Sequence, residues 1–203
     1  MKKSPESSQD EIPIKIMILG NTSVGKTSFI IKYTENTFQE VYLSTIGIDY
    51  KIKKLTYNEQ KYNLYIYDTT GEERFRSLSF NLIKFTEGVI LMYDITNKSS
   101  FKSIPEWIES AREHKGENYP IIIIGNKIDL EEKRKITTEE GENLAKKYGL
   151  DFFEISNKED INIKEAIFTL FKKVLIYIEQ KDMKGNSSIL SSNNSSSNKK
   201  SCC

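Results

Sequence analysis

Gly20-Asn21-Thr22-Ser23-Val24-Gly25-Lys26-Thr27 follows directly on the apolar, β-branched run Ile14–Leu19 and opens a helical pattern over Lys26–Tyr33. The spacing is G-x-x-x-x-G-K-[ST], in the strand–loop–helix setting that this pattern needs. Its glycines let backbone N–H groups wrap an anion, and the start of the helix adds positive potential. Lys26 is placed to reach the β- and γ-phosphates of a nucleotide, and the Thr27 hydroxyl to ligate Mg²⁺. The phosphate-binding set is therefore Gly20, Asn21, Thr22, Ser23, Val24, Gly25, Lys26, Thr27 and the adjoining Ser28. A chance glycine-rich turn is the competing reading, and the flanking strand and helix weigh against it. Alone, the motif says only that a nucleotide is bound, because ATPases share it.

Outward from this stretch the chain alternates apolar strands with amphipathic helices. Strands are expected at Gly47–Leu55, Lys61–Tyr67, Val89–Tyr93, Pro120–Ile124 and Phe152–Ile155, the first two joined by the hairpin-like Tyr57-Asn58-Glu59-Gln60. Helices are expected over Ser99–Glu113, Thr137–Tyr148 and Ile161–Ile178. The second opens on the capping box Thr137-Thr138-Glu139-Glu140. The third turns Ile163, Ala166, Ile167, Leu170, Val174 and Ile178 inward. The alternation predicts an α/β fold, a mostly parallel sheet covered on both faces, with ligands at the carboxyl ends of the strands.

Length and composition set the outer limits. The 203 residues fit one domain, with 1–11 a short polar N-terminus, 12–180 the folded unit and 181–203 a Ser/Asn-rich flexible tether. A net charge of +1 provides no bulk field for nucleic acid. The apolar run Ile121–Ile124 is a buried strand, and no apolar run approaches the length needed to cross a bilayer. Met1–Glu11 lacks a signal-peptide core, so a cytosolic chain is expected. Both cysteines, Cys202 and Cys203, stand adjacent at the end and cannot staple a fold. The single histidine, His114, is expected on the solvated surface.

Two further motifs bear on the ligand. Asp68-Thr69-Thr70-Gly71-Glu72-Glu73 closes the Lys61–Tyr67 strand. A carboxylate at Asp68 can hold Mg²⁺ through water, and Gly71 lets its N–H approach a γ-phosphate. By itself this reads more readily as a common strand-ending turn. Asn126-Lys127-Ile128-Asp129 distinguishes the base. Asp129 can accept hydrogen bonds from N1 and N2 of guanine, which adenine cannot supply, and a buried acceptor left unpaired rejects the wrong base. Asn126 would brace the loops and the Lys127 stem would cover the ring. Ser156-Asn157-Lys158, after the last strand, is a further base-side loop.

These motifs, in this order, resemble the Ras superfamily over roughly Ile14 to Ile178. The text between them is similar to the Rab branch: Tyr42-Leu43-Ser44-Thr45-Ile46-Gly47-Ile48-Asp49-Tyr50, Tyr67 to Leu78, and Gly125 to Leu130. Ser77-Leu78, Asp94-Ile95-Thr96-Asn97 and Glu139-Glu140-Gly141-Glu142 are similar to its Golgi-trafficking subgroup. The resemblance implies the small G-protein fold: six strands, one of them an antiparallel edge strand, and five helices. It implies two switch segments, Phe38–Gly47 and Asp68–Leu78, and an effector region, Tyr42–Tyr50, that overlaps the first. Thr45 would close on Mg²⁺ and the γ-phosphate, beside Thr27 and Asp68, and Phe38 would lie against the guanine. Lys26, Thr45, Gly71 and Glu72 would form the catalytic group. The implied activity is slow, Mg²⁺-dependent hydrolysis of GTP to GDP by a monomeric switch in vesicle traffic. Its implied partners are an exchange factor, an activating protein, an escort or GDI-type chaperone and effectors.

The departures from that pattern carry information. Where Rabs usually have Trp-Asp-Thr-Ala-Gly-Gln, this chain has Tyr67, Thr70 and Glu72, so the glutamine that orients the attacking water is a glutamate. A GTP-binding scaffold with negligible turnover is therefore the alternative reading. Tyr50 and Leu82 replace a phenylalanine and a tyrosine of the effector-facing aromatic triad, and Asn157 replaces the usual alanine of Ser-Ala-Lys. Cys202-Cys203 resembles the terminus that receives two geranylgeranyl groups. Two lipid chains give stable anchoring that one cannot, and Lys199 and Lys200 would add attraction to an anionic leaflet. The implied location is the cytoplasmic face of membranes, with a cytosolic pool.

Overall fold

A computed structural model describes residues 11–38, 48–71 and 81–193. Six strands form one sheet: β1 (Ile12–Leu19), β2 (Ile48–Tyr57), β3 (Gln60–Thr69), β4 (Gly88–Asp94), β5 (Ile121–Asn126) and β6 (Asp151–Ile155). Their spatial order is β2-β3-β1-β4-β5-β6. Only β2 and β3 pair antiparallel, through a tight turn at Asn58 and Glu59 whose φ angles are both positive, 48° and 64°. Such a turn matches the right-handed twist of the strands it joins.

The period of two along each strand divides the core. Ile14, Ile16 and Ile18 of β1, Ile90 and Met92 of β4, and Ile122 and Ile124 of β5 face one layer. There they meet Phe29 and Ile30 of α1 (Lys26–Glu35) and Ile163, Ala166, Ile167, Leu170, Phe171 and Val174 of α5 (Ile163–Asn193). Met17, Leu19, Val89, Leu91, Tyr93, Ile121 and Ile123 face the other layer. They meet Ile104, Trp107, Ile108 and Ala111 of α3 (Ile104–Lys115) and Ala145 of α4 (Thr138–Tyr148). Central strands buried on both faces read as unbroken apolar runs for this reason. The six-stranded, mostly parallel sheet with one antiparallel edge strand that the resemblance implies is the one observed.

Two helices and one side chain differ from expectation. The Ser99–Glu113 helix is two helices, α2 (Lys98–Lys102) and α3, broken at Ser103. Pro105 stands in the first turn of α3; it has no N–H to return to residue 101, and its ring would clash with that carbonyl. The last helix begins at Ile163, not Ile161, because Ile161 and Ser156 exchange two backbone hydrogen bonds in an isolated bridge. It then continues past Ile178 to Asn193, into the stretch whose composition reads as a tether from residue 181. Once a helix is nucleated and docked, each further residue adds a bond, and so weak formers are carried along. His114 is half-buried rather than solvated, one ring nitrogen 2.8 Å from the Ser110 carbonyl a turn earlier in α3. The capping box is as read: Thr137 Oγ1 accepts from the Glu140 N–H, and the Glu140 carboxylate accepts from the Thr137 N–H.

The connection from β1 leads to the β2–β3 side and that from β4 leads to β5. The chain thus reverses direction at the centre of the sheet, and the loops at the carboxyl ends diverge to leave a crevice.

Candidate functional site

The loop after β1 winds through positive φ at Gly20 (148°), Ser23 (63°) and Gly25 (102°). Two of these glycines are required by space as well. A Cβ on Gly20 would lie 2.1 Å from the Met92 carbonyl oxygen, and one on Gly25 would lie 2.3 Å from Asn126 Nδ2. Gly25 is the N-cap of α1, and no side chain caps that end, which leaves the first N–H groups of the helix for an anion. Lys26 is buried, and its ammonium donates to the carbonyls of Gly20 (2.9 Å) and Asn21 (3.0 Å). Burial pushes the Lys26 ammonium down to about 8, partly opposed by the Asp68 carboxylate. Held in this way, a cation with few solvent contacts stands at the centre of a loop shaped for negative charge.

Beside it, Thr27 Oγ1 donates to Asp68 Oδ2 at 2.6 Å. The end of β3 is fixed by Thr69, whose hydroxyl donates to the Ile18 carbonyl of β1 at 2.8 Å. Gly71 passes so close to the phosphate loop that a Cβ there would sit 2.3 Å from the Thr22 nitrogen. The two segments Gly20–Ser28 and Asp68–Gly71 are thus brought together as the sequence predicts.

On the other side of the loop lie the base-side segments. The Lys127 N–H and the Val24 carbonyl are bridged by the Asn126 carboxamide, at 2.8 Å each. Lys127 has left-handed φ (74°), and its ammonium bonds the Ser23 carbonyl (2.8 Å) and the Asp94 carboxylate (2.6 Å). Asp129 accepts from Ser156 Oγ at 2.7 Å, and Ser156 Oγ in turn accepts from the Glu159 N–H. Asn157 donates to the Gly25 carbonyl at 2.9 Å. Between these loops is a cavity of about 280 Å³, lined by Ser23, Gly25 and Ser28 on one side and by Asn126, Lys127, Asp129, Leu130, Asn157 and Lys158 on the other. Phe38 also lines it, 37% exposed.

Two residues here escaped the sequence reading. Asp94 fixes Lys127 while accepting from the Thr96 N–H and hydroxyl. Its only signal was an acid ending a central strand at the ligand edge. Leu130 joins the cavity wall, within the 3₁₀ turn Ile128–Lys133 that the sequence did not announce. Thr45 and Glu72, the effector residues Tyr42 to Gly47, and Cys202 and Cys203 lie outside the described residues; Ile48, Asp49 and Tyr50 begin β2. Away from the cavity, the half-exposed Tyr50 ring packs 5.6 Å from Tyr67 and 5.9 Å from Tyr65 across β2 and β3.

The Ras family model matches residues 15–176. Among relatives, human Ras-related protein Rab-3B is 43% identical over 152 residues, covering 75% of this chain and 69% of its own length. Bovine Ras-related protein Rab-8B is 39% identical over 174 residues, covering 86% and 84%. Bovine Ras-related protein Rab-3C is 42% identical over 152 residues, covering 75% and 67%. A family match over residues 15–176, joined to a glycine-rich loop, an acidic strand end and the Asn126–Asp129 loop around one cavity, leaves a single conclusion: the chain belongs to the Ras family and is a small GTPase of the Rab type, an enzyme that hydrolyses GTP.

Proposed function

We propose that this chain is a switch of vesicle traffic whose cavity takes the guanine of GTP or GDP, with the phosphates on the Gly20–Ser28 loop. The observation that carries the reading is Asp129, held by Ser156 at the edge of the cavity that the phosphate loop bounds. Lys26 and the loop N–H groups bind and orient the phosphates, and Asp129 reads N1 and N2 of the base. Thr27 and Asp68 present hard oxygen donors within hydrogen-bond distance of each other, a donor set that suits Mg²⁺, with Thr45 as a further ligand by resemblance. When bound, Mg²⁺ neutralises charge on the β- and γ-phosphates. Competition of ATP, GTP and xanthosine triphosphate against labelled GDP tests the assignment; ATP competing as well as GTP overturns it.

A second reading, a GTP-binding scaffold with negligible turnover, is favoured by Glu72. An ionised glutamate accepts from the attacking water but has no donor for the γ-phosphate oxygens, and it adds negative charge there. Single-turnover hydrolysis by the purified chain separates the two readings.

Attachment through geranylgeranyl groups on Cys202 and Cys203 completes the proposal. Among the described residues no helix is long and apolar enough to cross a membrane. A chain with both cysteines changed to serine is expected wholly in the soluble fraction, since the two lysines alone bind weakly. Free thiols on the membrane-bound native protein, seen by mass spectrometry, would remove this part. The exposed Tyr50 with its tyrosine neighbours supports an effector face on β2 and β3 whose partners differ from those met by the usual aromatic triad.

A further inference from the structure

Three consecutive carbonyls of the phosphate loop each accept a hydrogen bond from a base-side side chain. Lys127 Nζ donates to Ser23 at 2.8 Å, Asn126 Nδ2 to Val24 at 2.8 Å and Asn157 Nδ2 to Gly25 at 2.9 Å. A trans peptide is planar, its carbonyl and the next N–H pointing in opposite directions. Holding these three carbonyls toward the base loops therefore turns the N–H groups of Val24, Gly25 and Lys26 the other way, an arrangement of successive N–H groups that binds anions.

The first two donors belong to the Asn-Lys-x-Asp motif. The third stands where the Rab pattern usually has alanine, whose methyl group cannot donate. Asn157 is 4% exposed, and its Oδ1 is buried with no hydrogen-bond partner among the described residues. A buried acceptor without a partner costs stability, a cost that alanine avoids. What the asparagine adds is its bond to Gly25, across 132 residues of sequence. That same carbonyl accepts from the Phe29 N–H at 2.9 Å, a bond of the first turn of α1.

We propose that Asn157 is a positioning residue for nucleotide retention: its carboxamide locks the Gly25–Lys26 peptide and ties the 156–158 loop to the phosphate loop. Release of the nucleotide then requires breaking that tie, because the base loop cannot open while the phosphate loop stays closed. The inference rests on the assignment of the cavity to a guanine nucleotide.

The test uses the full chain loaded with a fluorescent GDP analogue and chased with excess GDP, with Mg²⁺ and with chelator. Asn157→Ala should release the analogue about fivefold faster, with association changed less than about twofold, as expected for loss of one buried hydrogen bond. Asn157→Asp keeps the shape, removes the donor and sets an anionic oxygen against the Gly25 carbonyl, so its release should be faster still. A release rate in Asn157→Ala equal to wild type overturns the tie while leaving the nucleotide assignment standing. So does wild-type release in Asn157→Asp, since the donor would then be irrelevant. Failure of wild type to hold the GDP analogue at all overturns the assignment and the tie together. A purely structural role would lower the melting temperature in saturating GDP and leave the release rate unchanged, which also overturns the proposal.

Discussion

At the base end of the cavity, side chains hold one another and the backbone: Ser156 fixes Asp129, Asp94 fixes Lys127, and Asn126 spans two peptide groups. At the phosphate end the backbone dominates, through three positive φ angles, an uncapped helix start and one buried ammonium. The base end arrives preformed, its recognition group already oriented. The phosphate end presents cationic and N–H groups whose full partners are the charges of the ligand. On the proposed assignment, the base is read by a rigid side-chain network and the phosphates are held by backbone and one buried cation.

The difference can be broken most severely at its rigid end. Asp129→Asn keeps an oxygen for Ser156 but replaces one acceptor by a donor that opposes guanine N1 and N2. GTP affinity should fall on the order of 10⁴-fold, with xanthosine triphosphate, whose C2 carbonyl suits the amide, now preferred. Equilibrium competition measures both; retained GTP preference would show that the base is read elsewhere. Thr27→Asn attacks the other end, replacing the hydroxyl that meets Asp68 with a misplaced, poorer ligand for Mg²⁺. GTP affinity should drop about a hundredfold and GDP affinity clearly less, because a bound Mg²⁺ would neutralise the additional phosphate charge that GTP carries. Affinities titrated against Mg²⁺ that match wild type would take Thr27 out of the metal site.

Glu72→Gln sharpens the contrast without disturbing binding. Restoring a donor toward the γ-phosphate and removing a charge should speed single-turnover hydrolysis about tenfold, or ~1.4 kcal/mol of barrier. Equal or slower turnover by this variant alone would acquit the glutamate. By resemblance, Rab-activating proteins supply an arginine and a glutamine in trans, so the gap should narrow when one is added. The smallest effect is expected beneath the base end. The Tyr93 hydroxyl is buried without a hydrogen-bond partner among the described residues and presses on Gly125, where a Cβ would lie 2.8 Å from it. Tyr93→Phe removes that polar atom, and stability should change by no more than about 1 kcal/mol, toward the stabilising side. Denaturant midpoints in saturating GDP test this; a large loss would reveal a partner for the hydroxyl.

Much of this was legible from the chain because its signals are local. A strand end, a glycine-rich loop and a helix start fall together around the eight residues from Gly20 to Thr27, and the unbroken apolar runs of β4 and β5 mark strands buried on both faces. The same holds for Asn126 to Asp129 and for the capping box at Thr137. The boundaries were less legible. Pro105 was visible, yet a break at Ser103 was not read, and nothing in residues 181 to 193 announced that helical backbone would persist there.

Residue types, spacing and order therefore determined that this chain builds a P-loop sheet, binds a guanine nucleotide and belongs among Rab-type GTPases. Tertiary structure alone decided who holds whom. The register that sets Asp94 beside Asn126 is what brings the Asp94 carboxylate to Lys127. The meeting of the loops after β1, β5 and β6 is what gives Ser23, Val24 and Gly25 their three donors. Contacts between residues so far apart along the chain leave no periodicity in the sequence, because they arise from the stacking of strands and not from any local preference of the chain.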